Sequence, residues 1–387
     1  MARTLTNVVP DLYEALDTVS RELVGFIPAV QASMSAERAA KDQVVYSPAT
    51  AALSAADTTP AVTPPDTGDN TVVGVAVTIS KSRHVAVRVN GEQNRALNTG
   101  PGFSSILAQE FAQAMRTLVN EVESDIGGEY VRASRAYGTA GTAPFGSSPA
   151  LSDAFAMQKI LDDNGAPMGD RQLVINSAAA LSLGSLTALT NVNQAGDADL
   201  LRRGMLTELA GFSVRKSAGV KRHTPGTGAA TYAVDLVAGY AAGSTAIHID
   251  TGTGTMVAGD VLSNTQSGRD ANKYVVKTGC AGDADQDIVL ASPGLQVAWV
   301  NNDTLGLAAA YNANLAFQRG AIVLATRAPA MPDLGDVAAD SMIVTDPVSG
   351  LSFEVRMYPQ FQQMQYLVML AWGVKCIKPE HCAILLG

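Results

Sequence analysis

FSSILAQEFAQAMRTLVNEVESDIGGEYVRASR, Phe103 to Arg135, carries the strongest helical signal in the chain. Leu107, Phe111, Ala114, Leu118, Val122 and Ile126 recur at three- and four-residue steps and trace one apolar stripe. Gln109, Glu110, Arg116 and Glu123 fall elsewhere on the wheel, which predicts that they face water. Thirty-three residues at ~1.5 Å each span about 50 Å, longer than a small domain is wide. Gly127-Gly128 predicts a bend near the end of this helix. A loop punctuated by Gly and Pro follows, from Ser134 to Gly146.

Toward the N-terminus, Val73, Val75, Val77 and Ile79 alternate with small or polar residues, and Val85, Val87 and Val89 alternate again. With Lys81-Ser82-Arg83-His84 between the two runs, the pattern predicts a long two-stranded hairpin with a basic tip. An isolated hairpin is marginal in water, so it must lie against something. Residues 46–70 are rich in Ala, Thr, Asp and Pro and support no helix. Leu12, Leu16, Val19 and Leu23 predict an amphipathic helix over 11–25, which reads equally as a projecting arm or as a first core helix.

Toward the C-terminus, 151–216 mixes elements: helices over about 151–161, 177–188 and 197–209, and strands over 171–176 and 211–215. Residues 222–308 are dense in Gly, Thr, Asp and Val. Short β-like runs at 231–237, 246–250, 261–264, 274–277 and 287–290 have small-barrel spacing. This predicts a β module inserted into the preceding domain, with a plain continuation as the alternative. Helix and strand mixing is expected again from about 309, and sheet from 341 to the apolar Ala383-Ile384-Leu385-Leu386.

Composition narrows the function. The chain of 387 residues has 27 Lys plus Arg against 36 Asp plus Glu, a net charge of −9, which argues against gripping nucleic acid. Charged residues make up 16%, against about 25% in ordinary soluble domains, so the surface is neutral or covered by other subunits. Cys280, Cys376 and Cys382 form neither a disulfide framework nor a four-ligand zinc set and read as reduced thiols. The early acids Asp11, Glu14, Asp17 and Glu22 break any secretory h-region, and no run of 18 apolar residues predicts a membrane span.

Chemistry is sparse. There is no Walker A loop; Gly226-Thr227-Gly228 and Gly252-Thr253-Gly254 read as turn glycines. Asp283, Asp285 and Asp287 alternate like the start of a calcium loop, but Ile288 and Gly294 stand where Gly and Glu are required. His84, His223, His248 and His381 are scattered, and no Gly-x-Ser-x-Gly elbow occurs. No catalytic, cofactor-binding or metal-binding set is expected. An enzyme of the α+β class would need a site around His223 or Asp235.

The order of arm, hairpin, very long helix, mixed layer, inserted β module and terminal sheet resembles the Hong Kong 97 phage fold of tailed-phage major capsid proteins. Three stretches carry the resemblance, and the inserted module points to the branch of the phage P-22 coat protein. They are Glu123–Gly128 with Arg135–Phe145, Asn314–Arg327, and Val77–Ser82. The implied organisation is an N-terminal arm over 1–45, an E-loop with its hairpin over 46–100 and the spine helix of the P-domain over 101–150. A first part of the A-domain over 151–221, an inserted β-barrel-like domain over 222–308, an A-domain continuation over 309–340 and a terminal sheet over 341–387 follow.

The resemblance implies a non-enzymatic subunit that self-assembles through hexamers and pentamers into an icosahedral shell around double-stranded DNA. The implied setting is a virion capsid, assembled in the host cytoplasm with a scaffolding protein and a portal, and without a membrane or a cofactor. A tail-tube, decoration or surface-layer subunit is the alternative. Inter-subunit contacts are expected at Lys81, Arg83 and Arg88 on the hairpin. Arg269 and Asp270, in the mixed-charge loop Ser267–Asp270, pair across a two-fold axis or form a plain surface loop. The outstretched pieces are expected to find their burial on sibling copies.

Overall fold

The computed structural model describes residues 24–49, 73–93, 103–146, 151–186, 208–228, 232–282, 286–333, 335–346 and 350–387, together with Leu12, Ala15 and a few other isolated positions. Helix α1, Phe103–Gly128, buries the expected stripe: Leu107, Phe111, Ala114, Leu118, Val122 and Ile126 are all inside, joined by Met115. It tightens into a 3-10 turn, Glu129–Arg132, and runs almost directly into a strand at Arg135. Gly127-Gly128 does not interrupt the helix. A Cβ on Gly127 would lie 2.2 Å from the carbonyl oxygen of Gly219, so this glycine admits a crossing backbone.

The strands, in chain order, are β1 (Gln31–Ala39), β2 (Val44–Ala49), β3 (Val73–Thr78), β4 (Lys81–Asn90), β5 (Arg135–Tyr137), β6 (Arg171–Ile175), β7 (Glu208–Leu209), β8 (Phe212–Lys216) and β9 (Arg222–His223). Then come β10 (Tyr232–Val234), β11 (Ala246–Asp250), β12 (Val261–Asn264), β13 (Lys273–Thr278), β14 (Gln286–Leu290) and β15 (Thr304–Leu307). The chain ends with β16 (Tyr311–Gln318), β17 (Ile322–Pro329), β18 (Asp340–Thr345), β19 (Ser352–Gln360), β20 (Gln363–Cys376) and β21 (Cys382–Leu386). Helices α2 (Ser152–Asp163) and α3 (Ser177–Gly184) lie between β5 and β7.

Two sheets share the long strands. In the first, β20 carries β19 and then β17 along one edge and β4 along the other, with β18 beyond β19 and β1 parallel to β17. In the second, the order is β5-β21-β16-β6-β8-β7. One core joins the α1 stripe to Leu324, Phe353, Val355, Val368, Leu370 and Trp372 of the first sheet and to Leu315, Phe317 and Ile384 of the second. A second core lies under α2 and α3, where Met157, Leu161 and Leu183 meet Leu173, Ile175 and Leu385.

The expected β module is a closed antiparallel barrel: β12-β15-β10-β11-β14-β13, with β13 returning to β12. Its own core holds Tyr232, Ile247, Ile249, Leu262, Tyr274, Ile288, Leu305 and Trp299. It is spliced to the second sheet where Lys273 and Tyr274 pair with Ala136 and Arg135.

Several expectations change. Residues 73–79 and 85–89 are strands but not partners: β3 pairs with β2, Val44 opposite Thr78 and Ala49 opposite Val73, whereas β4 pairs with β20, Lys81 opposite Trp372 and Asn90 opposite Gln363. The hairpin is therefore β2–β3, and Lys81–His84 begins a sheet strand. Alternation specifies that a segment is a strand, but not its partner. Residues 311–329 hold two long strands joined by a 3-10 turn, Arg319–Ala321, in place of mixed helix and strand. The helix expected over 197–209 lies outside the described residues except at Glu208–Leu209, which are strand. The 11–25 helix also lies outside them, apart from Leu12, Ala15, Val24 and Gly25.

Candidate assembly interface

The segment that leads into β1 is fixed by Glu123, whose side chain enters the protein against the amphipathic expectation and is 2% exposed. Its carboxylate accepts the amide hydrogens of Phe26 (3.0 Å) and Ile27 (2.8 Å) and the hydroxyl of Ser217 (2.6 Å). Burial pushes its pKa above the usual carboxylate value, and hydrogen bonding to Ile27, Ser217, Phe26 and Gly25 only partly counters that. Backbone crowding completes the joint. A Cβ on Gly25 would meet the Lys216 carbonyl oxygen at 2.4 Å, and one on Gly219 the Glu123 carbonyl oxygen at 2.7 Å. Periodicity hides Glu123, but Gly127 one turn later on the same face is a sequence cue to close approach.

Strand β1 is pinned a second time. Glu354 of β19, fully buried, accepts Arg38 Nη1 (2.8 Å) and Nη2 (2.7 Å), and also Arg356 Nε (3.0 Å) and Nη2 (3.1 Å). Arg38 also donates to the Pro329 carbonyl, and Arg356 to Asp336 at 3.0 Å. Burial alone would raise Glu354. The hydrogen bonds and positive charge of both arginines outweigh it and hold the carboxyl below its ordinary value.

The hairpin β2–β3 is a two-stranded sheet of its own. Its root is held: Val77 and Ile79 pack with Val323, Ala325 and Ala371, and Lys375 Nζ donates to the Ala76 carbonyl at 2.8 Å. Gly373 passes so close that a Cβ there would lie 2.0 Å from the Thr78 carbonyl oxygen. Further out, Tyr46 lies over Gly74 and is 71% exposed. On the barrel, Leu236, Val237, Val297 and Val300 are exposed apolar residues on two loops joined by the Tyr240–Trp299 bridge.

The charged residues expected at neighbours divide. Lys81 turns inward: Nζ lies 3.0 Å from Glu121 and 2.9 Å from Asp125 on α1, and 5.8 Å from the Trp372 ring centre. Burial alone would lower its pKa, but those two acids raise it. Arg83 reaches Glu121 at 3.4 Å and stays largely exposed, and Arg88 is exposed opposite Gln365. Arg269 lies 3.6 Å from Asp303. Asp270 is not a surface charge. At 5% exposure it accepts Tyr274 Oη (2.7 Å), Trp299 Nε1 (3.0 Å) and the Asn272 amide (2.9 Å) inside the barrel.

No group of three or more metal-ligating side chains occurs among the described residues. His223 is a buried strut: Nε2 lies 2.7 Å from Asp260 and Nδ1 2.8 Å from the Tyr130 hydroxyl, tying the barrel to the end of α1. His248 pairs with Asp287 at 2.7 Å; Asp283 and Asp285 lie outside the described residues. Gly226–Gly228 and Gly252–Gly254 are barrel turns held to one another through Thr227 and Thr255. No described helix is long and apolar enough to cross a membrane.

No protein-family model matches the chain, and no curated protein matches it. Among solved structures it is similar to the capsid of cyanophage P-SCSP1u, at 13% identity over 95% of this chain and 88% of that one, with a TM-score of 0.49. It is also similar to the mature capsid of bacteriophage PhiM1, at 12% identity over 94% and 86% of the two chains and a TM-score of 0.46. For a chain of Mycobacterium phage Che8 the corresponding figures are 15%, 89%, 85% and 0.45.

Proposed function

We propose that this chain is the major capsid subunit of a tailed double-stranded DNA phage, which self-assembles into a closed icosahedral shell. The observation that carries the reading is the pair β2–β3: a ribbon rooted in its own subunit by Val77, Ile79 and Lys375, with Tyr46 left in water further out. A two-stranded ribbon gains stability by lying on another surface, and a sibling subunit supplies one at every position of a shell. Strand β1, held by Glu123 just before it and by Glu354 along its length, is fixed in the first sheet and sets where the chain enters the β2–β3 ribbon.

Each pairwise contact is weak on this account, near millimolar or ~4 kcal/mol, so that misplaced copies dissociate. Several contacts made at once then render the closed shell durable. A net charge of −9 suits a wall along which DNA moves without sticking. A scaffolding protein, a portal and the enclosed DNA are the partners of this reading, with assembly in the host cytoplasm. Arg83, Arg88 and Arg269 remain its candidate contact residues.

Expression of the full chain, alone and with a scaffolding partner, followed by size-exclusion chromatography and electron microscopy, tests the reading. Shells, or pentamers and hexamers, are expected. A 40.1 kDa monomer under both conditions, or helical tubes, would overturn it.

A further inference from the structure

We propose that Cys376 and Cys382 are a redox site, closing to an intramolecular disulfide when the folded chain meets a small two-electron thiol oxidant. The two sulfurs lie 3.5 Å apart, hydrogen-bonded thiol to thiol, and a side-chain rotation brings them toward the ~2.05 Å of a bond. Both residues are buried, at 4% and 2% exposure, and their backbones are held. The Cys376 amide donates to Glu129 at 2.8 Å, and the Cys382 carbonyl accepts both the amide (2.9 Å) and the hydroxyl (2.7 Å) of Ser134. Little ordering therefore remains to be done when the bond forms.

The position gives the bond a consequence. Cys376 ends β20 opposite Ile322, and Cys382 begins β21 opposite Phe317. The chain thus crosses from the second sheet to the first between β16 and β17, and back again between β20 and β21, side by side. A bond from Cys376 to Cys382 closes the second crossing at that seam and holds the two sheets together. Cys280, in the barrel core, lies outside this cluster and serves as an internal control.

Hydrogen bonding to Cys376 and burial push the Cys382 thiol well up, so that sulfur is not a ready thiolate. At 4% and 2% exposure the pair calls for a low-mass oxidant, here a diazene, in place of a bulky oxidoreductase. One thiol adds across the N=N bond, and the other sulfur then attacks the bound sulfur. The S–S bond forms, the S–N bond breaks, and the hydrazine leaves with both protons and both electrons.

The test treats full-length folded protein with diamide, removes the reagent, unfolds the chain, alkylates it and counts labels by mass. The reduced chain takes three labels. The oxidised chain is expected to take one, on Cys280, to be lighter by two hydrogens before alkylation, and to regain three labels after a phosphine reductant. Cys280→Ser should leave the loss of two labels intact, and Cys376→Ser should abolish it. Three labels on the folded protein, under conditions that oxidise the urea-unfolded chain, would overturn the proposal, as would bonding through Cys280 or between chains. Because the readout is a thiol count, it is independent of whether shells form.

Discussion

Glu354→Gln removes one negative charge from beneath two guanidinium groups without changing side-chain volume, so no cavity term enters. Four charge-assisted hydrogen bonds, two from Arg38 and two from Arg356, are reduced to those that one neutral amide oxygen accepts, and the new NH2 points at other donors. Breaking a buried ion pair from one side costs ~3–5 kcal/mol. The Arg38 side chain is 32% exposed and regains water, while Arg356 keeps Asp336, so the cost sits at the low end, about 3 kcal/mol. With an unfolding entropy near 2.1 cal/mol/K per residue, that lowers Tm by about 4 °C if the chain of 387 residues unfolds in one step.

The pH dependence has a definite sign. Glu354 titrates below its ordinary 4.5 in the folded chain, so its stabilisation is fully present above that value and is lost as pH falls through the depressed one. Urea unfolding of the wild type and the variant should show the full gap at about pH 7 and a smaller one at about pH 3. A gap under ~0.5 kcal/mol at neutral pH, or one of equal size at both values, would refute the assignment of Glu354 as the clamp on β1.

Glu123→Ala strips the acceptor from three donors at once and should cost about 3 kcal/mol. Amide exchange at Phe26 and Ile27 should speed up more than exchange in the barrel, and equal effects in both would deny Glu123 its hold on the segment before β1. Gly373→Ala places a methyl 2.0 Å from the Thr78 carbonyl oxygen and should displace the ribbon; loss of assembly with unchanged helical circular dichroism is expected, and normal particles would contradict it. Asp270→Asn weakens the bonds from Tyr274 and Trp299 and should lower barrel stability by ~1–3 kcal/mol, read in Trp fluorescence, while sparing assembly. A lost interface with an intact barrel would return Asp270 to the subunit boundary.

The elements that a single period betrays were legible. The α1 stripe, the barrel runs at 246–250 and 261–264 and the final strand appear as read, because each is decided by which face its own residues bury. Pairing was not legible. The partner of β4 lies some 280 residues further on in β20, and nothing in Lys81–Asn90 encodes that address. Strand β1, QASMSAERA, escaped because small and polar residues mask alternation. At the candidate interface, the type of a charged residue was readable but not its direction: Lys81 folds back onto α1 and Asp270 into the barrel, since a polar side chain turns inward wherever donors or acceptors await it.

Because β12 and β13 pair, the barrel is a ring without a first or last strand, and no row of bare amides and carbonyls is offered to a neighbour. Copies crowded at high local concentration therefore cannot annex one another through it, and whatever touches the barrel must recognise side chains. Strand annexation is left to open flanks elsewhere: among the described residues β18 has only β19 as a ladder partner, β1 only β17, and β2 and β3 only each other.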